Sequence, residues 1–164
     1  MAETQEIKKK VICNIDRCIE CKTCASACFY GHQLTPAVGY GEMPIVASPV
    51  ICRQCEDAPC VAACPVDAMA RDDQGVVHRK RFLCIGCTSC VYACPFGVID
   101  RDLSFHTVGK CDLCRDRLSE GLEPRCVTSC PTNALSFAEY EEVEKDGLMV
   151  IGGRVAGQHP IKRR

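Results

Sequence analysis

CIGCTSCVYACP, residues 84–95, sets four cysteines in the spacing C-x2-C-x2-C-x3-C and closes on a proline. That spacing is the one used to ligate cubane iron–sulfur clusters. Three thiolates crowded into seven residues can wrap three corners of a cube. Outward from this stretch the theme returns three times. CRQCEDAPCVAACP (52–65) precedes it, KCDLCRDRLSEGLEPRCVTSCP (110–131) follows it, and CIECKTCASAC (18–28) stands first. The four quartets are Cys18, Cys21, Cys24 and Cys28; Cys52, Cys55, Cys60 and Cys64; Cys84, Cys87, Cys90 and Cys94; and Cys111, Cys114, Cys126 and Cys130. They take up all but one of the 17 cysteines. Four quartets imply four [4Fe–4S] clusters in 164 residues, a density expected of a protein that conducts electrons.

Two other uses of cysteine fit less well. A disulfide scaffold is normally short, secreted and even in its cysteine count. This chain is longer, its count is odd, and residues 1–12 (MAETQEIKKKVI) hold no apolar core of a secretory signal. Cysteines separated by only two residues are also poorly placed for bridges, whose Cα separation and Cβ direction are specific. Zinc takes paired C-x2-C knuckles separated by a longer loop, unlike the crowded first and third runs. No C-x-x-C-H is present, so covalent haem is not indicated. Cys13 lies outside every quartet and reads as a small buried side chain on an entering strand.

Apolar residues make up 47% of the chain, but the cysteines supply a large part of that, tryptophan is absent and aromatics are 5%. Burial alone would support such a chain weakly. The clusters are expected to serve as its core, with metal binding contributing to folding as in other small metalloproteins. The formal charge of −1 omits the clusters: sixteen thiolates with about +2 per oxidised core add roughly −8, which brings the loaded protein to about −9. The basic groups Lys8–Lys10, Arg79–Arg81 and Lys162–Arg164 are small, and no contiguous basic face for nucleic acid is expected. The most apolar pieces, 44–52 and 148–151, are too short to span a membrane. A cytoplasmic, reducing location is expected.

The repeats extend beyond the ligands. Pro65, Pro95 and Pro131 follow the last cysteine of three runs, and short apolar strands are expected at 68–70, 97–99 and 134–137. Asp72-Asp73-Gln74-Gly75 is a turn signal ahead of Val76-Val77, predicting a hairpin. Cys60 and Cys64 stand one helical turn apart, where two ligands can reach two different cubes. Residues 33–44 and the insertion 115–125 read as connectors, 139–145 as a short helix, 148–151 as a strand before the Gly152-Gly153 turn, and 154–164 as an extended tail. His32, His78, His106 and His159 are scattered, and no phosphate-binding glycine motif is present. The chain by itself is not expected to be an enzyme.

The four quoted runs, in this order and with these spacers, resemble the four-cluster, ferredoxin-like electron-transfer subunits of molybdopterin oxidoreductases, formate hydrogenlyase-type hydrogenases and carbon monoxide dehydrogenases. The likeness covers about residues 7–140. It implies an α+β fold of two bacterial ferredoxin-like modules of two clusters each, the second inserted in the first, with short helices and β-hairpins around the clusters. Residues 1–46 with 106–140 would form one module, 47–105 the other, and 141–164 a C-terminal extension. The resemblance implies that the fourth ligands are exchanged: Cys18, Cys21, Cys24 and Cys130; Cys111, Cys114, Cys126 and Cys28; Cys52, Cys55, Cys60 and Cys94; Cys84, Cys87, Cys90 and Cys64. Sequential pairing of the first run with the second, and the third with the fourth, is the alternative from the residues alone. Glu20 departs from the glycine frequent in the family, which Gly86 retains, and Phe29 stands where the other runs have proline. Lys22 and Lys110 adjoin ligands and are candidates for tuning or docking.

The implied partners are a catalytic oxidoreductase subunit and a second redox subunit or soluble carrier. A tungsten or molybdenum pterin enzyme acting on formate or an aldehyde is the first choice, then a hydrogenase or carbon monoxide dehydrogenase. A free polyferredoxin and a self-associating conductive stack are the rival functions. Relatives that are exported carry a membrane helix near their C-termini, which is not expected here.

Overall fold

The computed structural model describes residues 7–32, 51–102, 107–145, 149–151 and 154–156. The expectations placed on 33–44, His106, Gly152-Gly153, His159 and Lys162–Arg164 lie outside the described residues. Strand β1 (Lys10–Asn14) enters the first run, and helix α1 (Thr23–His32) carries its third and fourth cysteines. The second run is built on α2 (Pro59–Ala62) and followed by the hairpin β2 (Met69–Arg71) and β3 (Val77–Arg79). The third has α3 (Ser89–Ala93), then the antiparallel pair β4 (Asp100–Asp102) and β5 (Thr107–Gly109). The fourth has α4 (Arg115–Ser119) and α5 (Arg125–Thr128), then β6 (Leu135–Ala138), α6 (Tyr140–Lys145), β7 (Met149–Ile151) and β8 (Arg154–Ala156).

Proline explains the helix lengths. In the second, third and fourth runs the helix lasts four or five residues, because the proline behind the last cysteine supplies no N–H and disfavours helical geometry at the cysteine before it. The first run has Phe29 there, and its helix continues to ten residues. Left-handed residues then set the turns. The second residue between the first two cysteines has positive φ in every run: Glu20 (58°), Gln54 (48°), Gly86 (68°) and Leu113 (57°). The third residue after the last cysteine does so in each proline-bearing run: Asp67 (50°), Gly97 (60°) and Asn133 (50°). Asp, Gly and Asn are the residues that tolerate this region best.

β1 lies inside a four-stranded sheet of order β6-β1-β8-β7. β6 pairs with it antiparallel, Val11 opposite Phe137 and Cys13 opposite Leu135, and β8 pairs parallel through Cys13 and Arg154. Val11, Ile12 and Cys13 are all buried, so β1 reads as a continuous apolar run and not an alternating one. The first run thus closes on the fourth, and α1 packs against α5 while α2 packs against α3. Two cores result. One gathers Val11, Cys24, Cys28, Leu113, Cys126 and Leu135; the other gathers Cys52, Cys60, Met69, Val77, Cys90 and Val108.

Three expectations shift. The strand placed at 97–99 begins at Asp100, because Gly97 turns the chain and ladder pairing starts only at Asp100 opposite Gly109. The insertion 115–125 contains α4, whose last turn ends near Gly121 (φ 74°). The start of the extended tail, Arg154–Ala156, is a sheet strand beside β1. The hairpin at 69–79 and the burial of Cys13 on β1 are found as read.

Candidate metal centres

None of the 17 cysteines, all of them among the described residues, is joined in a disulfide, which removes the disulfide scaffold. A cavity enclosing about 340 Å³ of empty space, its open mouth included, is lined by Cys52, Cys55, Cys60 and Cys94. A second of about 310 Å³ is lined by Cys64, Cys84, Cys87 and Cys90. Each therefore mixes three cysteines of one run with the last cysteine of the other. Among the described residues no three Cys, His, Asp or Glu side chains group closely enough to hold a single metal ion. Four thiols lining one cavity supply the four corner ligands that a cubane cluster needs.

The first and fourth runs meet in the other core, where Cys24, Cys28 and Cys126 are buried and Cys18, Cys111 and Cys130 pack at its edge. Cys21 and Cys130 act on each other electrostatically, and Cys126 feels Cys114, Cys28 and Cys24. Cys111 feels Cys52 as well as Cys126. It also packs on both cores, which makes it one of the places where the two halves touch.

Burial raises the thiols of Cys60 and Cys90, lifts Cys111 well above its usual range and pushes Cys126 up to about 12. Crowding by neighbouring thiols adds to each. Desolvated, mutually repelling thiolates are costly, and a cation among them removes that cost, which is the electrostatic logic of a metal centre. The two exposed cysteines behave differently. Cys21 is lowered by the Thr23 hydroxyl, which donates to its sulfur at 3.3 Å, and Cys87 by the Ser89 N–H and then its hydroxyl, 3.5 Å away. Burial raises Cys130, but hydrogen bonds from Leu135, Thr132 and Ala134 outweigh it and bring the thiol down. Backbone N–H groups four residues on donate to the last sulfur of two runs: Ala68 to Cys64 and Ala134 to Cys130, both at 3.2 Å. Donors to sulfur stabilise the anionic ligand and raise cluster potential.

Polar groups missed by sequence reading pin these loops. Gln54 is buried; its amide accepts from Val77 N at 2.7 Å and donates to Cys111 O at 3.0 Å. Arg71 donates to the carbonyls of Cys55, Glu56 and Gly75. Both sit in strings of ordinary polar residues, so nothing in the sequence marks them. Of the two flagged lysines, Lys22 is exposed, whereas Lys110 turns inward and donates to Cys52 Sγ at 3.2 Å. Of the histidines, His32 ends α1 and His78 lies on β3 with Nδ1 3.4 Å from Val76 O.

The model of the 4Fe-4S dicluster domain matches residues 43–140, and that of a 4Fe-4S binding domain matches 15–31. The thiosulfate reductase electron transfer subunit PhsB of Salmonella typhi is 37% identical over 78% of this chain and 74% of its own length. The electron transport protein HydN of Escherichia coli (strain K12) is 35% identical over 82% and 90%. The B subunit of the anaerobic dimethyl sulfoxide reductase of the same organism is 35% identical over 79% and 72%. The cysteine sets gathered in the two cores and cavities fit the [4Fe–4S] clusters that the matching domains carry by name.

Proposed function

The chain belongs to the ferredoxin-like 4Fe-4S electron-transfer family, and on that premise we propose that it passes single electrons between a catalytic oxidoreductase subunit and a second redox partner. When bound, four [4Fe–4S] clusters would supply the one-electron steps. The observation that carries this reading is the mixed lining of the two cavities, three cysteines of one run with the last of the other. It supports exchanged ligands within an inserted module, residues 47–105, holding Cys52, Cys55, Cys60 and Cys94 and, beside them, Cys84, Cys87, Cys90 and Cys64. The proximity of Cys21 to Cys130, and of Cys28 to Cys126, supports the same exchange between the first and fourth runs, within 1–46 and 106–140.

The protein's residues would do three things. They exclude water, since Cys24, Cys28, Cys52, Cys60, Cys90, Cys114 and Cys126 are buried. They donate hydrogen bonds to sulfur, as Ala68 and Ala134 do. They would fix a linear order, supported by the electrostatic influence of Cys24 on Cys126, Cys52 on Cys111, and Cys60 on Cys90. The exposed Cys21 and Cys87 then mark the two ends where electrons enter and leave.

The catalytic partner is assigned to the tungsten or molybdenum pterin oxidoreductases, acting on formate or an aldehyde, in the cytoplasm. Relatives named as parts of a thiosulfate reductase and a dimethyl sulfoxide reductase support a catalytic partner of the oxidoreductase class. Metal analysis of the native complex, purified anaerobically through this chain, tests the assignment. Tungsten or molybdenum is expected. Nickel would move the partner to a hydrogenase or carbon monoxide dehydrogenase, and iron alone would leave a free polyferredoxin or an iron-only partner.

A further inference from the structure

We propose that Lys110 sets the reduction potentials at the crossing between the two halves, acting as a fixed positive charge clamped between Cys52 and Cys111. This rests on the ligand scheme above, in which those cysteines belong to neighbouring clusters of different modules. Lys110 follows β5 and directly precedes Cys111. Its ammonium donates to Cys52 Sγ at 3.2 Å, to Val77 O at 2.8 Å and to Cys111 O at 2.6 Å. A lysine has three N–H donors, and here three acceptors receive them. The charge is therefore held in place and does not swing into solvent as an exposed lysine does.

The acceptors are themselves fixed. Gln54 also ties Val77 N to Cys111 O, so one buried amide and one ammonium link the same two residues. Two further links cross the same seam: Ile7 N donates to Gln74 O at 2.8 Å, and Arg115 pairs with Asp72 at 2.9 Å. The ammonium touches both halves, reaching Cys52 Sγ and Val77 O on one side and Cys111 O on the other. Reduction adds one electron and no proton to a centre that is already anionic, so a partly buried cation beside its ligand favours the reduced form. Water screens such a charge less than it screens one at the surface.

The test is a potentiometric titration followed by EPR on the full-length, anaerobically purified protein, comparing wild type with Lys110→Met and Lys110→Arg. Iron content and spin count establish loading first. With four clusters present, Lys110→Met is expected to make reduction of the crossing centres at least ten-fold less favourable, about 59 mV downward for a one-electron couple. The end clusters keep their potentials, and Lys110→Arg, which keeps the charge, restores most of the shift. A fully loaded Lys110→Met protein with four unchanged potentials overturns the proposal while leaving the ligand scheme standing. Should Lys110→Met fail to load, pulsed EPR of reduced wild type carrying [ε-15N]lysine decides. A 15N coupling that Lys110→Arg removes supports the clamp, and its absence in the wild type overturns it. A wild type without four clusters overturns the underlying reading, and the proposal with it.

Discussion

Glu20 stands at φ 58° between the first two cysteines of its run, a region that costs a side chain with a Cβ about 1–2 kcal/mol. Gly86 meets the same demand in the third run at no such cost. Glu20→Gly is therefore expected to stabilise the loaded protein by about 1 kcal/mol, read as a rise in thermal midpoint. Removing the carboxylate should also move the nearest potential upward, and a downward movement would contradict the electrostatic account. Cys13, buried on β1 opposite Leu135, is a packing residue of the first core. Cys13→Ala is expected to retain the full iron complement and to lose about 1 kcal/mol; loss of a cluster's worth of iron would make it a ligand. At this scale the sequence is very legible for sulfur and nearly blank for its support. Cysteine spacing announces ligands because few other chemistries use it. Gln54 and Arg71 act through backbone N–H and carbonyl groups that only folding brings within reach.

The secondary elements are short because each run must turn its chain around a metal group within a few residues. Proline and left-handed positions do this where hydrophobic periodicity has no room to act. That is why the hairpin at 69–79 could be read from its Asp-Asp-Gln-Gly turn, while the start of β4 at Asp100 and the strand β8 could not. β8 becomes a strand by lying beside β1, a long-range pairing with no local signal. The hairpin turn offers a direct check. Asp72 Oδ1 accepts from Gln74 N at 3.0 Å and Val76 N at 2.8 Å, and its other oxygen meets Arg115 across the seam. Asp72→Ala is expected to cost about 1–2 kcal/mol and to speed hydrogen exchange at Gln74 and Val76. Unchanged exchange at both amides would show that the side chain does not hold the turn.

Taken whole, the molecule has two small cores in which cysteines replace much of the aliphatic bulk: Cys24, Cys28 and Cys126 in one, Cys52, Cys60 and Cys90 in the other. Raised thiols at Cys60, Cys90, Cys111 and Cys126 show what those cores demand. At such sites the free energy of metal binding is largely free energy of folding. Removal of iron by a chelator under anaerobic, reducing conditions is expected to abolish most of the far-ultraviolet circular dichroism, and a native-like spectrum from the iron-free chain would show an independent core. The proposed nesting of one pair of runs inside the other is implied by the family resemblance and not by spacing, since spacing equally permits sequential pairing. The proximity of Cys94 to the second run and Cys64 to the third is what favours the nested arrangement.

The most direct test is Mössbauer spectroscopy of 57Fe-enriched protein, purified anaerobically, with total iron and zinc measured on the same sample. The account predicts about sixteen iron per chain, all in [4Fe–4S] signals that reduce one electron at a time. Mononuclear tetrahedral iron, or zinc replacing iron at full protein occupancy, would contradict it.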